Sequence, residues 1–194
     1  MDIQKNLTLK AGEIMKRRIL LGVCGGIAAY KSAEVIERLK KKNEIKLVMT
    51  QNSAHFITPL TLQTLSGNPV YSELFVLPKE WEIVHISLAE WAEIILVLPA
   101  TANIIGKVSS GITDDLLSAI IMATTSPVIF APAMNKNMWK NAILQENVKK
   151  LKRAGYHFIE PVTGRLASGE KGIGHLAPVE RIIREVKMRL NGKK

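Results

Sequence analysis

The stretch from Arg18 to Lys31, RILLGVCGGIAAYK, constrains this chain more than any other. Its apolar run Ile19-Leu20-Leu21 reads as the start of a buried strand, Ile19 to Val23. Gly22 and Gly25-Gly26 interrupt the run, and Ile27-Ala28-Ala29-Tyr30-Lys31 then takes up a helical pattern. A strand that turns on glycine into a helix leaves unpaired backbone N–H groups facing the turn. With the positive end of the helix dipole, those donors favour a phosphate. Glycine suits the turn because a side chain would block close approach and resist a positive φ. The spacing is GVCGG rather than G-x-G-x-x-G, so the dinucleotide fingerprint is not met, and a plain structural connection is the competing explanation.

At 194 residues, 47% of them hydrophobic, the chain suits one domain with a sizeable core. No apolar stretch is long enough to span a membrane, and Met1 to Arg18 lacks a signal peptide's apolar core. One cysteine, Cys24, excludes an internal disulfide and fits a reducing compartment, so a cytoplasmic location is expected. The net charge of +10 invites nucleic acid. Yet the basic clusters, at Lys40-Lys41-Lys42, Lys149 to Arg153 and the C-terminal tail, are scattered. They come without zinc-finger spacing or an RNA-binding aromatic motif. The expectation is no nucleic acid and no membrane, with an anionic small ligand compatible with the charge.

Residues 1–15 show no sustained period and read as an N-terminal extension, 16–190 as the domain and 191–194 as a tail. Helix one is expected from about Ile27 to Lys42, and strand two from Ile45 to Met49. Thr50-Gln51-Asn52-Ser53 follows at that strand's carboxyl edge, where open α/β sheets bind ligands; the same residues also suit an N-cap for a helix starting near Ala54. A short helix covers Leu60 to Leu65, and Val70 to Glu82 reads as irregular with a short edge strand. His85 stands just before a short helical pattern, so it can point towards the pocket, although a lone histidine is more often a surface or structural residue.

Ile94 to Leu98 is the most hydrophobic strand, ended by Pro99-Ala100-Thr101-Ala102-Asn103. Small residues with Thr and Asn supply donors and acceptors without filling a crevice. In Gly111-Ile112-Thr113-Asp114-Asp115 the two carboxylates have the composition of a metal or acid/base pair. Adjacent residues diverge, however, so Thr113 as N-cap of a helix over Leu116 to Ala123 is preferred, and no metal site is expected. A fourth strand, Pro127 to Ala131, delivers Ala133-Met134-Asn135 to the same edge. A helix over Asn141 to Arg153, a strand over Tyr156 to Ile159, a glycine-rich flap over Pro161 to Leu176 and a helix over Val179 to Leu190 complete the chain. Alternating strands and helices give an α/β fold with a largely parallel sheet. Its carboxyl edge suits a flat, phosphate-bearing ligand.

Six stretches, in order, resemble the homo-oligomeric flavin-containing cysteine decarboxylase family. They are GGIAAYK, TQNSAHFI, the histidine of HISLAEWA, PATANIIGKVSSGITDDLL, APAMNKNMW and GRLASGEKGIGHLAP. The resemblance covers about Lys16 to Leu190 and implies a flavodoxin-like (Rossmann-type) three-layer fold that binds FMN, assembled as a homo-oligomer, a trimer or a dodecamer. By position it implies that Gly25, Gly26 and Ile27 lie at the FMN phosphate, and that Thr50, Gln51 and Asn52 add polar contacts. Thr101, Ala102, Asn103, Ile104 and Ala133 would surround the flavin. His85 would be the base or proton shuttle, Asn135 would hold a substrate carboxylate beside Met134, and the flap with Ala167, Ser168 and Gly169 would clamp the substrate. The implied reaction converts 4'-phosphopantothenoyl-cysteine to 4'-phosphopantetheine and CO2 in coenzyme A synthesis. Thiol oxidation to a thioaldehyde precedes CO2 loss, and the enethiolate is then re-reduced. A fused or separate phosphopantothenate–cysteine ligase is the implied partner.

Two residues depart from the pattern. Ser168 stands where the family's flap commonly has a cysteine linked to the last reductive protonation, and His175 stands where an arginine is common. A serine hydroxyl is the weaker acid, so His175 is a candidate to share the proton handling. The alternatives are an oxidative peptidyl-cysteine or thiol decarboxylase that releases an enethiol, and a non-enzymatic flavoprotein regulator.

Overall fold

The computed structural model describes residues 16–75 and 83–192, so the expected extension over residues 1–15, part of the irregular stretch and the last two tail residues lie outside the described residues. The first half comprises β1 (Arg17–Val23), a 3₁₀ turn (Ile27–Tyr30), α1 (Lys31–Leu39), β2 (Asn43–Met49), a second 3₁₀ turn (Gln51–His55), α2 (Pro59–Ser66), β3 (Val70–Tyr71) and α3 (Val84–Trp91). The second half begins with β4 (Ile94–Ala100), α4 (Ala102–Ser110), α5 (Leu116–Ala123), β5 (Val128–Pro132), α6 (Lys136–Lys140) and α7 (Ala142–Arg153). It ends with β6 (His157–Phe158), β7 (Val162–Arg165), β8 (Lys171–His175) and α8 (Val179–Asn191).

Six strands form one parallel sheet in the order β3-β2-β1-β4-β5-β6, and β7 and β8 form a separate antiparallel hairpin. Central strands of such a sheet are covered on both faces, which is why β1 and β4 are almost continuous apolar runs. Along β1, Ile19, Leu21 and Val23 join one core with α1, α2 and α8. Leu20 and Cys24 face the opposite core, built with α3, α4, α5 and α7. The result is the expected three-layer, Rossmann-type fold. Each fully buried Leu or Ile in these layers contributes about 1.5–3 kcal/mol relative to leaving it exposed. Among the described residues no helix is long and apolar enough to cross a membrane.

Several boundaries differ from the sequence expectation, each for a local reason. Helix one divides into a 3₁₀ turn and α1, which stops at Leu39 rather than Lys42. There the Asn43 side-chain amide donates to the Leu39 carbonyl at 2.7 Å and terminates the helix. The segment after β2 begins its 3₁₀ turn at Gln51, not near Ala54, and the Thr50 side chain makes no cap; Ser53 Oγ donates to the Thr50 carbonyl instead. Strand β4 continues through Pro99 to Ala100, beyond the proline expected to end it. The Leu98–Pro99 bond is cis, and the register against β5 shifts between Val97 and Ala100. Asp115, not Thr113, caps α5: its Oδ1 accepts from the Ser118 N–H at 2.9 Å while Ser118 Oγ sits 3.3 Å from the Asp115 N–H. A carboxylate two residues closer to the helix can reach that donor.

The glycines after β1 are needed for proximity, not for left-handed backbone. Gly26 is extended, with φ −161°, and neither Gly25 nor Gly26 has a positive φ. A Cβ on Gly25 would lie 2.6 Å from Asn52 Cβ and 2.8 and 2.9 Å from the Asn52 carbonyl carbon and oxygen. Gly22, inside β1, makes room for Leu117 of α5, whose Cδ1 would be 2.5 Å from an added Cβ. Gly26 has nothing closer than 3.8 Å. Gly25→Ala is therefore expected to lower stability by about 1–3 kcal/mol through overpacking against backbone, whereas Gly26→Ala stays within about 0.5 kcal/mol of wild type; urea unfolding of both variants measures the contrast.

Candidate active site

The strand order reverses between β1 and β4, because β1 continues into α1 on one face and β4 into α4 on the other. Their carboxyl ends splay apart there and leave a crevice. It opens into a cavity of about 1490 Å³. The β1 turn contributes Gly25, Gly26 and Ile27, and the segment after β2 contributes Thr50, Gln51 and Asn52. Beyond β4 come Thr101, Ala102, Asn103 and Ile104, and beyond β5 come Ala133, Met134 and Asn135. The hairpin adds Ala167, Ser168 and Gly169 at its tip and His175 at its base. The fold thus gathers all the sequence-expected site residues but one. His85 lies within the first turn of α3, half-buried, and is not among the residues lining the cavity.

Hydrogen bonds fix what several of these groups can offer. Thr101 caps α4, its hydroxyl accepting from the Ile104 N–H at 3.4 Å. Thr50 donates its N–H to the Val23 carbonyl at 3.0 Å, tying the β2 end to the β1 end. Asn135 Oδ1 accepts from the Asn137 N–H at 2.8 Å and caps α6. With that oxygen engaged, the exposed Asn135 side chain presents its NH2 group as a donor.

The hairpin is anchored rather than free. The Met134 N–H donates to the Gly174 carbonyl at 3.0 Å, and Lys136 pairs with Glu170 at 3.0 Å. Gly174 has φ +126° and approaches Met134 so closely that a Cβ would lie 2.2 Å from the Met134 carbonyl oxygen. Only glycine permits that contact. His175 packs across Gly164, whose added Cβ would be 2.8 Å from the ring, and its Nδ1 lies 3.1 Å from the Arg165 carbonyl oxygen. If Nδ1 donates there, Nε2 is left as the ring's other hydrogen-bonding atom.

The cation that pairs with Asp114 and Asp115 was not singled out in the sequence. Lys107 bonds to Asp114 Oδ1 at 2.6 Å and Asp115 Oδ2 at 2.7 Å, and all three residues line the cavity. Lys107 stands four residues after Asn103 on the same face of α4, a spacing that would have flagged it. Burial pushes the Asp115 carboxyl up, but the Lys107 ammonium and the Ser118 N–H outweigh it and leave the group below the usual range. Burial likewise pushes Lys107 down, and its two carboxylate partners more than reverse this. Cys24 has no such support: burial drives its thiol up to about 12, with hydrogen bonds from Thr101 offsetting only part of the effect. It remains a neutral packing group.

Because the folded-state value of Asp115 is depressed, its contribution is present above the unfolded value, about 3.9, and is lost as pH falls through the folded value. Asp115→Ala is expected to cost about 0.5–2 kcal/mol near neutral pH through the lost cap. The gap to wild type should close in acid below the unfolded value. Denaturant midpoints measured across pH test both the size and the direction.

The family model Flavoprotein matches residues 8–191. The Coenzyme A biosynthesis bifunctional protein CoaBC of Borreliella burgdorferi is 48% identical over 178 residues, covering 91% of this chain and 45% of that protein. This chain therefore spans less than half the length of that relative. The Streptococcus mutans protein named "Probable phosphopantothenoylcysteine decarboxylase" is 40% identical over 179 residues, covering 91% of this chain and 100% of that one. Among solved structures, a cysteine-to-serine mutant of PPC decarboxylase complexed with pantothenoylaminoethenethiol superposes with a TM-score of 0.80 at 32% identity, over 89% of this chain and 97% of that one. The FMN-dependent cysteine decarboxylase SpaF gives 0.79 at 30% identity, over 91% of this chain and 98% of that one. With the family model spanning residues 8–191, nearly the whole chain, this chain belongs to the Flavoprotein family.

Proposed function

We propose that this chain is an FMN-dependent decarboxylase that converts 4'-phosphopantothenoyl-cysteine to 4'-phosphopantetheine and CO2 in the cytoplasm. The observation that carries the reading is a single crevice assembled from four strand ends and covered by an anchored hairpin. Its volume of about 1490 Å³ exceeds the roughly 300–1,000 Å³ of a typical ligand pocket, which leaves room for a cofactor and a substrate together.

The residues present fit FMN. Gly26 lines the cavity just before the 3₁₀ turn that leads into α1, and a Cβ there would meet Thr101 Cγ2 and Pro99 Cγ at 3.8 and 3.9 Å. A glycine at this place lets a phosphate approach the backbone itself. Ala102, Ile104, Ala133 and Met134 supply a mainly small, apolar lining for a flat ring system, and Thr50, Gln51, Asn52, Thr101 and Asn103 supply polar contacts around it. FMN supplies the two-electron chemistry when bound.

The protein's own part is placement and proton handling. The Asn135 NH2 group donates to the substrate carboxylate and fixes which bond is broken. The hairpin residues Ala167, Ser168 and Gly169 cover the substrate and exclude water. His85 moves a proton at the substrate thiol, which requires a second copy to carry it to the cavity, so the protein acts as a homo-oligomer, a trimer or a dodecamer. Exposed apolar side chains support this: Ile27, Tyr30 and Met138 at the cavity and Ile83 and Ile86 around His85 all remain uncovered in one chain. A phosphopantothenate–cysteine ligase, fused or separate, supplies the substrate, as the bifunctional relatives' architecture suggests.

Ser168 at the hairpin tip favours a second reading, in which only the oxidative half runs and an enethiol leaves. The structural neighbour that holds pantothenoylaminoethenethiol is likewise a cysteine-to-serine mutant. Mass spectrometry after anaerobic incubation with 4'-phosphopantothenoyl-cysteine separates the two. The proposed reaction yields saturated 4'-phosphopantetheine, whereas a product lighter by two hydrogens establishes the second reading. Absence of CO2 release with flavin bound contradicts both.

A further inference from the structure

The cavity's cations are not equivalent. Lys31 pairs with Glu34 at 3.4 Å, and Lys107 is held by two carboxylates. Arg165, on β7, also lines the cavity, yet among the described residues no carboxylate lies within 4.0 Å of its guanidinium and its side chain makes no hydrogen bond. Lys171 stands directly opposite it in the β7–β8 register, and its ammonium is equally unpartnered. The adjacent carboxylate, Glu170, is engaged by Lys136. Directly opposed residues of an antiparallel pair share a face with their Cβ atoms about 4.5–5.5 Å apart, and like charges there repel. Such a pair is unfavourable alone and is relieved by an anion placed between the two groups.

We infer that Arg165 and Lys171 form the station for the phosphomonoester of the substrate. This rests on the proposed decarboxylase reading and gives Arg165, on the cavity lining, and Lys171, paired beside it on the hairpin, the task of selecting phosphorylated over dephosphorylated substrate. A phosphate dianion offers oxygens for a two-pronged guanidinium contact and a second charge for the ammonium. The turn at Gly25-Gly26, on a different element, is the place proposed above for the cofactor phosphate. The two anions of a cofactor–substrate pair thereby have separate sites. The hairpin that carries the cations also meets Met134 through Gly174, next to Asn135, so one hairpin links the phosphate station to the carboxylate contact.

The test titrates the FMN-loaded protein with 4'-phosphopantetheine and with pantetheine by calorimetry, in wild type and in the double variant Arg165→Gln/Lys171→Gln. Both side chains are exposed, and thermal melting with flavin absorbance reports whether the variant keeps its fold and cofactor. The wild type is expected to prefer the phosphorylated ligand by about 10- to 100-fold, and the double variant to lose most of that preference while pantetheine affinity changes little. A variant that keeps the preference overturns the inference and leaves the decarboxylase reading intact. A variant that keeps its fold but loses flavin assigns the pair to the cofactor phosphate instead and overturns it as well. Equal wild-type binding of both ligands rules out a phosphate station, and wild-type binding of neither ligand removes the station together with the substrate assignment.

Discussion

The close approach of the β1 turn to Asn52 is the contact on which the rest of the site depends. With Gly25 pressed against the Asn52 backbone and Thr50 bonded to the end of β1, two neighbouring strands end as one surface. On the other side of β1, β4 leaves the sheet towards the opposite layer, so no chain crosses the gap between them. The crevice is thus a consequence of chain direction. Its walls are rigid because each is the end of a strand buried on both faces.

Chemistry is then divided between immobile backbone and a small set of side chains. Cys24 is kept neutral by burial and Lys107 is paired with Asp114 and Asp115, so neither is a free nucleophile. The Asn135 amide, the hairpin tip with Ser168, the His175 ring and Arg165 are among the groups left to meet a ligand. That division suits a bound cofactor that carries the redox step, with the protein supplying orientation and protons.

The central strands were legible in the sequence because two-sided burial leaves an unbroken apolar run, and the cavity residues were legible because they follow those strands directly. The role of Gly25 was legible in position but not in cause: a requirement for positive φ and a requirement for proximity both select glycine, and only the placement of Asn52 distinguishes them. The cap at Asp115 rather than Thr113 turned on two residues of helix start. The hairpin's anchoring was invisible, since the Met134–Gly174 contact joins residues forty positions apart. The spacing around His85 allows it to point towards the pocket or to stand at the surface. Within one chain its helix directs it elsewhere, and nothing local in sequence encodes the surface of a second copy.

The measurement that bears most directly on the crevice as a joint flavin and thiol site is anaerobic rapid mixing of the flavin-loaded protein with 4'-phosphopantothenoyl-cysteine, followed through the visible absorbance of oxidised flavin. Bleaching is expected on the timescale of turnover, with colour returning as saturated product forms. Flavin that stays fully oxidised while substrate is bound would contradict it.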